Sequence, residues 1–116
     1  MTIELRNNRI YHYDENRKLK EHFAFSTSFS HFEILNDGRV LVMENYYQYE
    51  NGEKTNLYCI NQSVEIEWFA EIGKSQEDVY VGFTTNGNRI YANTWNCFRH
   101  EIDIESGKII SSVFTK

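Results

Sequence analysis

Four dipeptides punctuate this chain: Asp37-Gly38, Asn51-Gly52, Asn86-Gly87 and Ser106-Gly107. Each supplies a glycine at a point where tight hairpin turns and bulges demand positive φ. Between them run short segments rich in β-branched and aromatic residues. The chain has no proline, and no window of it shows helical periodicity. This punctuation predicts an all-β chain. The run Arg39-Val40-Leu41-Val42-Met43 is apolar on both faces, as a buried central strand is. Arg99-His100-Glu101-Ile102-Asp103-Ile104 alternates instead, with His100, Ile102 and Ile104 on one face. Val64-Glu65-Ile66-Glu67-Trp68 alternates in the same way, and its Trp68 continues the core face.

The strands repeat. Residues 33–69 and 82–116 share a course: an apolar strand, an Asn/Asp/Gly turn, an Arg-aliphatic-aliphatic strand, then a second hairpin. Ile60-Asn61 and Ile102-Asp103 occupy the same place in the two copies, and Tyr13-Asp14-Glu15-Asn16-Arg17-Lys18-Leu19 looks like a third copy of the last hairpin alone. Four strands per ~40–50 residues is the pattern of propeller blades. Asp103-Ile104-Glu105-Ser106-Gly107-Lys108-Ile109-Ile110 resembles the Asp-x-x-Thr-Gly-Lys turn of PQQ-type β-propeller repeats. In that family an aspartate closes the third strand and the fourth often ends in Trp, as Trp68 does here. Asn61-Gln62-Ser63 and Asp14-Glu15-Asn16 lack the glycine of that turn. The resemblance implies blade architecture and nothing about a quinone cofactor; no cofactor is expected.

At 116 residues the chain has the length of one domain. A hairpin at 9–25, a blade at 31–72 and a blade at 79–116 make about two and a half blades, whereas closed propellers need at least four. The expected fold is therefore an open partial β-propeller-like arc of antiparallel four-stranded meanders. Apolar residues are 41% of the chain and aromatics 16%, enough for a packed core. No run approaches the ~20 apolar residues of a membrane span, and the N-terminus lacks the apolar stretch of a signal peptide. Two cysteines, Cys59 and Cys97, make no disulfide framework and are expected as small buried hydrophobes. A cytoplasmic protein is expected.

In a four-stranded meander the turns alternate between two ends. One end collects the Asp37-Gly38, Asn86-Gly87, Asn61-Gln62-Ser63 and Ser106-Gly107 turns. The other collects the long tip 44–53, the tip Thr94-Trp95-Asn96-Cys97 and the connection 71–78. That second end brings acids and aromatics together: Glu44, Tyr46, Tyr47, Tyr49, Glu50, Glu53, Glu71, Glu77, Asp78 and Trp95. Rings supply contact area and carboxylates steer a basic partner, so these are the candidate partner-binding residues. The competing reading of Tyr46, Tyr47, Tyr49 and Trp95 is that they pack across hairpins or in the core.

Catalytic patterns are missing. His12, His22, His31 and His100 are spread over the chain with no HxH or HExxH grouping, so no metal site is expected. Cys97 and His100 are three apart, which in a strand points them to opposite faces. The chain has no GxSxG and no phosphate-binding glycine loop. The i, i+2 carboxylates Glu65/Glu67 and Asp103/Glu105 suit solvent-facing strand positions. The cluster Arg17-Lys18-Lys20 is too small for a nucleic-acid site. No enzyme is expected.

Net charge is −5, concentrated in residues 33–78, where ten acids face three bases. Such a surface repels nucleic acid and attracts basic proteins. A small, acidic, repeat-built all-β chain of this kind resembles the immunity proteins of bacterial polymorphic-toxin and contact-dependent growth-inhibition systems. That resemblance implies a protein that occludes the active site of a cognate toxin domain, often a basic nuclease. The alternative is a self-associating propeller-like scaffold, whose copies pair through exposed sheet edges.

Overall fold

In a computed structural model of the chain, residues 3–6, 9–13, 19–50, 54–72 and 78–115 are described. They form eleven strands and, among the described residues, no helix: β1 (Ile3–Arg6), β2 (Arg9–Tyr13), β3 (Leu19–Phe23), β4 (Phe29–Ile34), β5 (Val40–Glu44), β6 (Leu57–Ile60), β7 (Ile66–Phe69), β8 (Tyr80–Asn86), β9 (Arg89–Thr94), β10 (Phe98–Ile102) and β11 (Ile109–Phe114). They pair into three antiparallel meanders, β1-β2-β3, β4-β5-β6-β7 and β8-β9-β10-β11. The architecture is all-β, a partial propeller-like arc. Three of the expected turn glycines lie in the left-handed region, with φ of 89° at Gly38, 63° at Gly87 and 76° at Gly107. Asn51-Gly52 lies outside the described residues.

The two four-stranded sheets are copies in detail. Each has a register shift near the start of its first strand, at Phe29/His31 and at Tyr80/Gly82. Each has another at the end of its third strand, at Cys59/Ile60 and at Glu101/Ile102. The next residue then folds the turn onto itself: Asn61 Oδ1 accepts from Ser63 N and Glu65 N, and Asp103 Oδ1 accepts from Glu105 N. Where the second sheet lacks the turn glycine, Val64 takes the positive φ, at 61°. The first sheet differs from the sequence expectation. The hairpin placed at 9–25 is joined by β1, giving three strands, with Ile3↔His12 and Arg6↔Arg9 in register.

The second sheet is the middle layer. Every residue of β5 and β6 is buried, because a sheet covered on both faces keeps no solvent side. One face packs on the third sheet: Leu41, Met43, Leu57, Cys59 and Trp68 meet Tyr80, Phe83, Ile90, Ala92 and Ile102. Val40, Val42, Tyr58 and Ile60 on the other face meet Ile10 of the first sheet. Trp68 is core, as its alternation implies, and its indole N–H donates to Ile104 O at 3.1 Å. Burial pushes the Cys59 thiol up to about 12, which makes it an inert apolar filler. Arg39 bolts the second sheet to the third. Its guanidinium donates to Asp37 at 2.8 Å within its own turn and to Ile104 O at 2.9 Å across the seam. With Asn36, Asn88 and Glu105 these groups line a polar cleft of about 320 Å³.

Candidate functional site

The two tips expected to converge do so. The tip after β5 carries Tyr46 and the turn after β9 carries Trp95. Their rings lie 5.4 Å apart, tilted 31°. Both remain open to solvent, Tyr46 at 40% and Trp95 at 61%, and neighbouring Tyr47 is 69% exposed. These three rings are therefore surface, and packing across a hairpin does not hide them. Tyr49 is different: it is half-buried, and its hydroxyl donates to Thr55 O at 2.8 Å, bracing the tip from within.

Backbone bonds fix the platform. Asn45 N donates to Ser28 O, and Asn45 Oδ1 accepts from Tyr47 N, an Asx turn that aims Tyr47 outward. Gln48 adopts φ 61° and Cys97 φ 72°, closing the two tips. Trp95 N donates to Val79 O. Asn56, fully buried, joins the sheets beneath the rings. Its amide nitrogen donates to Glu44 O and to Tyr80 O, each at 2.8 Å, while its oxygen accepts from Tyr80 N. Sequence reasoning passed over Asn56, since a lone asparagine ahead of a strand looks like any turn residue.

The acids are distributed differently from the expectation. Glu44 is fully buried, and its carboxylate is consumed internally. Oε2 accepts from Phe25 N at 2.7 Å and from the Tyr58 hydroxyl at 2.6 Å. Oε1 accepts from Ser26 N at 3.0 Å and Thr27 N at 3.1 Å. It thus anchors the connection between the first and second sheets and is withdrawn from any partner. Tyr58 has one proton and gives it to Glu44, so the Nε2 of buried His22, 2.8 Å away, supplies the hydrogen of their bond. Burial, and then the carboxylate beside it, push the Tyr58 phenol far up.

Asp78 is half-buried, and its Oδ1 accepts from Val79 N and Asn96 N, shaping the Trp95 turn. Glu71 is exposed but belongs to another seam, where its carboxylate accepts from Ile109 N and its amide donates to Gly107 O. Glu50 stays exposed on the aromatic tip, its amide bonded to Ser26 Oγ. Glu53 and Glu77 lie outside the described residues. Cys97, expected buried, is half-buried in the Trp95 turn because the turn leaves no core above it. Among the described residues no three His, Cys, Asp or Glu side chains assemble as metal ligands. No helix among them is long and apolar enough to cross a membrane.

Residues 27–114 match the domain of unknown function DUF7957, and the chain belongs to that family. No curated protein matches its sequence. Among solved structures it is similar to the computationally designed protein Ika8, with TM-score 0.62 and 9% identity over 98% of this chain and 36% of that one. It is also similar to BamB from Moraxella catarrhalis, with TM-score 0.60 and 12% identity over 99% of this chain and 35% of that one. BamB is a β-propeller, so the likeness shows the propeller-like fold. The chain spans about a third of the length of both structures.

Proposed function

We propose that this protein is a protein-binding inhibitor, an immunity protein that neutralises a basic toxin domain by covering its active site, and that it does no chemistry itself. The observation that supports the reading is the exposed group Tyr46, Tyr47 and Trp95, at the meeting of two tips on an acidic chain. Exposed aromatics on a pre-set backbone lose little entropy when covered, which is why such residues dominate binding hot spots. Steering falls to Glu50 with Glu53 and Glu77, which follow the same tip or precede its neighbour in sequence. These carboxylates attract the cationic groups with which a nuclease holds phosphate, and the rings exclude water around them. An interface of about 800 Å² per partner suits a domain of this size. The site of action is the cytoplasm of the producing cell.

The test is a pull-down against the C-terminal domain encoded by the gene immediately upstream, with growth rescue scored in the same cells. Tight binding with rescue is expected. Absence of both removes the immunity reading.

A further inference from the structure

The seam between the second and third sheets is complete, and it sets a template for the other. Register aligns the first strands of the two sheets residue for residue: Phe29 with Tyr80, His31 with Gly82, Phe32 with Phe83 and Ile34 with Thr85. In β8, Phe83 and Thr85 lie opposite Ala92 and Ile90, on the face that packs on the second sheet. β4 covers both. The His31 ring lies 4.5 Å from the Phe83 ring, and Glu33 accepts from the Thr85 hydroxyl. Phe83 is accordingly only 6% exposed. The seam between the first and second sheets lacks this cover. Phe32 and Ile34 lie opposite Val42 and Val40, on the face that packs on the first sheet. Phe32 is only half-buried and Ile34 is 54% exposed. The cause is a strand count. The first sheet has three strands where its copies have four. Asp14-Glu15-Asn16 connects β2 to β3 as Asn61-Gln62-Ser63 connects β6 to β7, so β1 corresponds to β5 and β9. The missing strand is the counterpart of β4 and β8. Among the described residues no strand pairs with β1 on its far side.

We propose that this place is a slot for an extended segment of a partner protein, which joins the first sheet as a fourth strand along β1 and lies over Phe32 and Ile34. An antiparallel strand there satisfies the backbone groups that a sheet edge leaves open, and side chains on its inner face give the selectivity. The complete seam specifies those side chains. A planar ring in the place of His31 packs on Phe32, as His31 packs on Phe83. Two residues on, in the place of Glu33, the slot takes an aliphatic side chain, because Ile34 stands where Thr85 offers a hydroxyl. A second copy does not supply this segment. Of the described strands at sheet edges, only β4 carries a ring with leucine, isoleucine or valine two residues on. That pair is Phe32 and Ile34, the floor of the slot itself.

The test titrates a peptide into the whole isotope-labelled chain and reads amide shifts and hydrogen exchange. The peptide has the sequence of residues 28–36 with Glu33→Leu, flanked by lysines for solubility. It is expected to shift the amides of β1 and to protect those that point away from β2. The same peptide with His31→Pro is expected not to bind, because proline lacks the N–H that a ladder needs. Ile34→Glu in the protein is expected to weaken binding roughly tenfold or more while the circular dichroism stays that of wild type. Trp95→Ala in the protein is expected to leave binding unchanged, which separates the slot from the aromatic tips. Absence of binding overturns the proposal, as do equal binding of the proline peptide and indifference to Ile34→Glu. Shifts centred on β5 overturn it too, since the peptide then replaces β4. So does full protection of the β1 amides in the free protein, the edge then being filled by the chain itself or by a second copy. None of these outcomes depends on the immunity reading.

Discussion

Replacing Glu44 by glutamine keeps the side chain's shape and removes its charge, and the structure gives the consequence a size. The carboxylate accepts four hydrogen bonds, from three successive backbone amides and the Tyr58 hydroxyl. Glutamine retains one oxygen, which serves two of those donors, and turns its NH₂ toward the other two. Hydrogen bonds to charged groups contribute about 1.5–3 kcal/mol each, so losing two costs about 3–6 kcal/mol. Against a total stability of about 5–15 kcal/mol that is a large share. Urea unfolding read by linear extrapolation should show a lower midpoint with an unchanged slope, because the surface exposed on unfolding is the same. Glu50→Gln, at an exposed carboxylate, should change stability by no more than about 0.5 kcal/mol. Tyr58→Phe combined with Glu44→Gln should cost less than the two singly, since both remove one shared bond. A Glu44→Gln protein within about 1 kcal/mol of wild type would refute the assignment of Glu44 as an internal anchor.

Stability should fall with acid. Burial holds the His22 and His100 imidazoles below their ordinary value, so below about pH 6.5 the unfolded chain takes up protons that the folded one refuses. Stability is then full above that pH and falls by up to about 1.4 kcal/mol per pH unit for each ring; a urea midpoint that stays flat from about pH 7.5 to pH 5 would contradict this. Gly107→Ala should destabilise by about 3 kcal/mol or more, because a Cβ there would sit 2.5 Å from the Trp68 ring at φ 76°. Gly87→Ala, with open space around it, should cost only about 1 kcal/mol, both variants being compared with wild type by thermal melting. Association with a basic partner should slow as salt rises, since exposed charges are screened over about 8–10 Å; a salt-insensitive rate in stopped-flow mixing would remove the steering role of the acids.

Strand pattern was legible in the sequence because period and turn chemistry are local. Gly38, Gly87 and Gly107 mark their turns directly, and the all-apolar run through Val40–Met43 announces a strand covered on both sides. The pairing of Asn61 with Asp103 across the repeat was legible for the same reason: each caps its own turn. The alternation of turns in a meander also puts Tyr46 and Trp95 at one end. What could not be read was the direction in which each acid is used. Glu44 follows an apolar strand and precedes a tyrosine-rich tip, a context that suits the surface. Its burial depends on amides at 25–27, brought against it by the packing of the first sheet. Asp78 likewise serves a turn 18 residues away. β1 escaped notice because its four residues alternate too briefly to stand out from a polar N-terminus.

The aromatic platform as a binding surface is tested most directly by calorimetric titration of the proposed partner, the C-terminal domain encoded by the gene immediately upstream, into wild type and into a Tyr47→Ala/Trp95→Ala double variant. Both rings are exposed, so the variant should keep its melting temperature while its affinity falls roughly a hundredfold or more. An affinity equal to wild type, with folding intact, would contradict the account.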